Sequence, residues 1–247
     1  MRIPNMCTLS YHGIQKSALK VTWRQIHYTL MFVIYLMVAS PVWGQEIDTL
    51  EIARKLQSTY ENAANVVASF KQTTTMKFSS RVRQGTGEMI FLKPGRMRWD
   101  YISPDYQVLI SDGKTISMYF EKNKQMIISN AKDYLQSDVT YSFFAGTGDI
   151  IKDFEINDPG IPNDEPGTWI IKLIPKATHP QVSSMFAWIS QKTYLIEHLQ
   201  IIDHFDTVTN LYFSNMSINA EYYGKRKIGE DIFTFTPPLG TEIIEQF

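Results

Sequence analysis

Cysteine is almost missing from this 247-residue chain, and the single thiol, Cys7, sits in a stretch unlike everything after it. Residues 45–247 therefore offer no disulfide, no thiolate nucleophile and no cysteine-based metal site. Acidic residues are absent up to Gly44, where the only charged side chains are Arg2, Lys16, Lys20 and Arg24. A membrane-spanning run is absent too. The apolar stretch Tyr28–Ala39 is about twelve residues long, whereas crossing a bilayer takes ~20. A basic leader, a short apolar core broken by Ser40-Pro41 and the exit Val42-Trp43-Gly44 make the pattern of a cleaved secretory signal. Residues 1–44 are expected to be a signal peptide and 45–247 a single exported domain. Cys7 lies far upstream of the apolar core, so it is not placed to become the lipidated first residue of a processed lipoprotein.

Catalytic patterns are also lacking. There is no Gly-x-Ser-x-Gly and no His-Glu-x-x-His. Gly146-Thr147-Gly148 has neither a third glycine nor a following Lys-Ser/Thr, so it is no phosphate loop. The histidines beyond the leader are His179, His198 and His204, and Asp203-His204-Phe205-Asp206 reads as a polar hairpin rather than a metal cluster. No catalytic residue, cofactor or metal is expected. Removing the four leader cations leaves 24 − 4 = 20 against 25 acidic residues, a net charge of −5. That balance provides no basic field for nucleic acid or anionic headgroups.

What is present is periodic. Ile47, Leu50, Ala53 (with Ile52), Leu56 and Tyr60 recur at helical spacing among Glu46, Asp48, Glu51, Arg54 and Lys55, with an exit at Glu61-Asn62. From Val66 the period becomes two. Met97, Trp99 and Tyr101 alternate with Arg96, Arg98 and Asp100, the mark of a half-buried strand. Val108-Leu109-Ile110 runs into the turn Ser111-Asp112-Gly113-Lys114, and Ile116, Met118 and Phe120 return opposite Thr115, Ser117 and Tyr119. After Gln125–Ile128 the pattern breaks. A short helix is expected over 137–146, carrying Tyr141, Phe143 and Phe144, and another near Asp149. Strands resume at 154–156, 169–174, 185–189, 194–202 and 208–218, with a Pro/Gly-rich loop over 159–167. The predicted fold is mainly β with helices: a strongly curved antiparallel sheet whose concave face the helices fill.

Five stretches, taken in order, carry a resemblance. They are Ala68-Ser69-Phe70-Lys71-Gln72; Gly85-Thr86-Gly87-Glu88-Met89; Lys93-Pro94-Gly95-Arg96-Met97-Arg98-Trp99-Asp100-Tyr101; Ile110-Ser111-Asp112-Gly113-Lys114; and Phe233-Thr234-Phe235-Thr236-Pro237-Pro238-Leu239-Gly240. The chain resembles the LolA family of periplasmic lipoprotein carriers over nearly all of residues 45–247. The resemblance implies an unclosed antiparallel β half-barrel with a helical lid covering a hydrophobic cavity, and a non-enzymatic, monomeric periplasmic chaperone that shelters lipoprotein acyl chains there. It would load from an inner-membrane ABC exporter and unload to an outer-membrane receptor. On that pattern Leu56, Tyr60, Val66, Met89, Met97, Trp99, Leu109 and Met118 line the cavity and Phe143 and Phe144 belong to the lid. Where the family has an arginine that latches the lid, this chain has Lys93, which keeps the charge without the planar fork. The family's glycine after Asp203 is also missing. Two other classes compete: an envelope lipid- or lipoprotein-sensing module on the same fold, and a lipid-acting enzyme, for which no nucleophile–base pair is available.

Overall fold

One helix lies against the inner face of a twelve-stranded sheet. The computed structural model describes residues 48–77, 81–132, 143–144 and 148–246. The leader, and the helix expected over 137–146 apart from Phe143 and Phe144, lie outside them. Helix α1 spans Thr49–Glu61. Asp48 caps it, its carboxylate accepting from the amides of Leu50 and Glu51 at 3.0 and 3.1 Å. Its buried stripe is Ile52, Ala53, Leu56 and Tyr60, the spacing that faces one side of a helix.

The strands are β1 (Asn65–Thr75), β2 (Val82–Leu92), β3 (Arg96–Ser103), β4 (Gln107–Asp112), β5 (Thr115–Phe120) and β6 (Gln125–Asn130). After the one-turn helix α2 (Ile150–Asp153) come β7 (Phe154–Asn157), β8 (Thr168–Pro175), β9 (Ser184–Ser190), β10 (Ile196–Ile202) and β11 (Val208–Ile218). A two-stranded hairpin, β12 (Tyr222–Tyr223) with β13 (Arg226–Lys227), a 3₁₀ turn over Glu230–Phe233 and strand β14 (Glu242–Gln246) complete the described chain. The order across the sheet is β14-β6-β5-β4-β3-β2-β1-β11-β10-β9-β8-β7, so among the described residues β14 and β7 are its edges and the half-barrel stays open. All neighbours are antiparallel except β14, which pairs parallel with β6. The alternation in the sequence did not announce β14, because Glu242–Gln246 places only Ile244 among its partly buried positions.

The curvature has local causes. Register shifts interrupt β1 between Val67 and Ser69, β2 between Thr86 and Gly87, and β10 between Ile196 and His198. At Gly87 a Cβ would lie 1.9 Å from the Asp100 carbonyl oxygen and 2.8 Å from the Phe70 ring. Strands β2 and β3 can approach this closely only through glycine. The Asp112-Gly113 turn forms as expected: Gly113 adopts φ +95°, and the Asp112 carboxylate accepts from the amides of Lys114 and Thr115, each at 2.8 Å. Burial works against the ionised form of Asp112, yet those donors hold its carboxyl below the usual range.

The sheet's two faces do different jobs. On β3, Met97 and Trp99 face α1 and join the main core, while Arg98 and Asp100 face outward. Arg98 grips the Asp100 carboxylate with two donors at 2.7 and 3.0 Å and donates to the Ile232 carbonyl at 3.0 Å. The Tyr223 hydroxyl donates to the same carboxylate at 2.8 Å. Two apolar patches extend this outer clasp: Ile232 and Phe233 on Ile90, and Phe235 on Tyr119. The chain after β11 thus folds back over the outer face of β2–β5. This corrects the expected pattern of β5. Ile116 is buried inward as predicted, but Tyr119 is buried outward beneath Phe235 instead of facing water.

Candidate functional site

The interior is built around α1. Leu56, Tyr60, Val66, Met89, Met97, Trp99 and Leu109 belong to one buried cluster, and Met118 and Phe143 pack against it partly exposed. Phe144, only 2% exposed, sits in an aromatic cage. Its ring centroid lies 5.2 Å from Phe91, 5.5 Å from Tyr60, 5.5 Å from Phe213 and 5.4 Å from Phe143. Such aromatic pairs add about 0.5–1.5 kcal/mol each beyond area burial. The side chains that the sequence assigned to a cavity and its cover therefore meet in one place.

Tyr60 ties the helix to the sheet. Its hydroxyl accepts from the Ile196 amide at 3.1 Å, where the β9–β10 register shifts, and contacts the Met216 sulfur at 3.2 Å. Burial pushes this phenol well above its ordinary range, so it stays neutral and able to donate. Phe143 packs 4.8 Å from the same ring.

Lys93 sits at the exit of α1. Its ammonium donates to the Tyr60 carbonyl at 2.6 Å and the Glu61 carbonyl at 2.9 Å, and its backbone amide to Ala64 at 3.0 Å. It fastens the end of α1, whose last carbonyls lack intrahelical partners and carry the negative end of the helix dipole. Desolvation lowers the Lys93 pKa, partly offset by the Glu61 carboxylate.

Among the described residues, a gap of about 30 Å³, lined only by apolar side chains, lies between the helices and the far half of the sheet. Leu56, Phe143 and Phe144 border it, as do Ile150, Phe154, Leu173, Met185, Ala187, Ile196 and Leu199. Sequence reasoning missed these last seven, because four of the five family motifs fall on β1–β5 while the gap lies toward β7–β10. The inward alternation of Met185, Ala187 and Ile189 along β9 was the available signal.

The polar hairpin behaves as a turn. Asp203 accepts from the amides of Phe205 and Thr207 at 2.7 and 2.8 Å, and Asp206 takes φ +57°, the conformation a glycine would supply. Asp206 pairs with Lys77, and a ring nitrogen of His204 lies 2.7 Å from the His179 carbonyl. Among the described residues no group of three or more His, Cys, Asp or Glu side chains is placed to hold a metal.

These features define an open half-barrel stoppered by its own helix and phenylalanine pair. The chain belongs to the LolA family: the model described as outer membrane lipoprotein carrier protein LolA matches residues 61–236. It is 28% identical over 218 residues to an outer-membrane lipoprotein carrier protein of Nitrosomonas europaea, covering 87% of this chain and 98% of that one. A protein of the same description from Nitrosospira multiformis is 26% identical over 216 residues, covering 87% and 96%. Among solved structures, an uncharacterized conserved protein from Thermus thermophilus shares the fold at a TM-score of 0.50 and 10% identity, covering 80% of this chain and 98% of that one.

Proposed function

We propose that this chain is a periplasmic carrier that binds the acyl chains of lipoproteins released from the inner membrane and delivers them to an outer-membrane receptor. The observation that carries this reading is the stoppered interior. An apolar sheet face is covered by α1, Phe143 and Phe144, and a gap of about 30 Å³ lies beside them. Acyl chains cost ~0.8 kcal/mol per CH₂ to expose to water, so a lipid anchor needs such a shelter to cross an aqueous compartment. The carrier must also let go. A ligand that displaces packed side chains is held by the difference between two packings, which keeps release within reach.

On this reading Leu56, Tyr60, Val66, Met89, Met97, Trp99, Leu109 and Met118 contact hydrocarbon once Phe143 and Phe144 have moved, and Lys93 keeps α1 in place. The chemistry is transfer without covalent change. The loading partner is an inner-membrane ABC exporter, and the carrier works as a monomer. The test is extraction: purified protein is mixed with inner membranes loaded with labelled lipoprotein, exporter and ATP, and the supernatant is assayed. Soluble lipoprotein in one-to-one complex with the carrier is the expected result. A supernatant free of lipoprotein sinks the reading.

A further inference from the structure

A second space lies outside the apolar gap. A groove of about 310 Å³ runs between α2 and the segment Pro175–His179 and is open to solvent. Ligand sites for small molecules begin at about 300 Å³, so the groove has room for one chain rather than several. Phe143, Ile150 and Phe154 line the groove and also line the apolar gap. These three side chains thus form the partition between the groove and the gap.

Among the described residues, the surroundings of this partition are harder to open. Across the sheet, a chain would have to break backbone ladders. At α1, it would have to lift three helical turns held by the Asp48 cap, the Tyr60 hydroxyl and the Lys93 ammonium. Helix α2 has only four residues. On one side Gln57 holds it, accepting from the Ile150 amide at 3.0 Å; on the other Lys176 donates to the Ile151 carbonyl at 2.9 Å. Those bonds fix the backbone of α2, so passage asks only that the packed Phe143, Ile150 and Phe154 side chains change rotamer, a smaller rearrangement than displacing a helix. The outer lip carries Lys152 and Lys176, which suit the carbonyl or phosphate oxygens of a lipid's polar end.

We propose that this groove is the port through which acyl chains reach the interior, threading past Phe143, Ile150 and Phe154. The proposal rests on the carrier reading above. Ala177 and Thr178 are exposed on the outer lip, away from the apolar gap. Ala177→Trp and, separately, Thr178→Trp plug the groove without altering the core. The probe is palmitate carrying a terminal fluorophore, followed by stopped flow with the full chain. Both substitutions are expected to slow association and dissociation together, by about tenfold, and to leave Kd within about twofold, because a plug obstructs passage in both directions. Rates within about twofold of the wild type in both variants overturn the port. So does weaker binding with an unchanged association rate, which makes the groove a binding subsite instead. A wild-type protein that binds no probe overturns the carrier reading and the port with it.

Discussion

Shortening Phe144 to alanine should weaken the fold and strengthen ligand binding in the same variant. Phe144 is 2% exposed and its ring is caged by Tyr60, Phe91, Phe143 and Phe213. Removing such a ring from a core costs about 3–5 kcal/mol. For a domain of this size each kcal/mol moves Tm by about 2–4 °C, so the melting temperature should drop by roughly 6–20 °C. If acyl chains take the place of Phe144, the bound state has already given up those ring contacts, and the variant binds without having to break them. The whole cost is an upper bound, since neighbouring side chains will relax into the space. At 1.4 kcal/mol per tenfold, a gain of about ten- to a hundredfold in affinity is expected. Calorimetric melting and an equilibrium titration with fluorophore-tagged palmitate give the two readouts. A lower Tm with unchanged or weaker affinity would refute the displacement argument and make Phe144 an ordinary core residue.

Three further outcomes follow from other parts of the molecule. Lys93→Met removes a cation from two helix-terminal carbonyls; hydrogen bonds to charged groups contribute about 1.5–3 kcal/mol when buried, and partial exposure reduces the pair to about 1–2 kcal/mol in total. A urea midpoint unchanged in Lys93→Met, or an equal loss in Lys93→Arg, would argue against that fastening. Gly87→Ala forces a methyl into the Asp100 carbonyl and should cost at least about 1–3 kcal/mol, whereas Gly160→Ala, with open space around its Cβ position, serves as a backbone-strain control. Equal losses in the two would remove the close-approach explanation. His179 titrates below the ordinary histidine range because burial and the neighbouring His204 disfavour its charged form. The neutral form is the one the fold prefers, so its contribution is complete above about pH 6.5 and is lost as pH falls through the lowered pKa. Urea midpoints measured from pH 8 to 5 should decline less in His179→Gln, and parallel declines would contradict the assignment.

Much of the architecture was legible because two periods dominate the chain. The helical stripe Ile52, Ala53, Leu56, Tyr60 and the strand alternation Met97, Trp99, Tyr101 each specify a buried face by themselves. The short helix near Asp149 could be read from its cap, which the structure places on the Lys152 amide at 3.0 Å. What escaped the sequence is cooperative. The longest motif, Lys93–Tyr101, divides between faces: Met97 and Trp99 point into the core, while Arg98 and Asp100 clasp a segment more than a hundred residues downstream. No local pattern reveals that pairing. The same is true of Trp188, His198 and Tyr212, which stack at 4.0 and 4.1 Å on the outer face from three different strands. Residues bordering the remaining gap were missed because alternation tells which way a side chain points but not where packing is incomplete.

Strand β14 docks on β6 across a separation of 117 residues, from Glu242 to Gln125. As the polypeptide is made, β6 can pair with β5 at once, but its other margin stays bare until that distant strand emerges. Bare margins of this kind invite pairing with a neighbouring molecule. The mature arrangement ends the hazard with a short strand bearing Glu242 and Glu245, both exposed, whose charges repel a further addition. A nascent or C-terminally clipped molecule would keep its native interior and yet be prone to stick to its own kind.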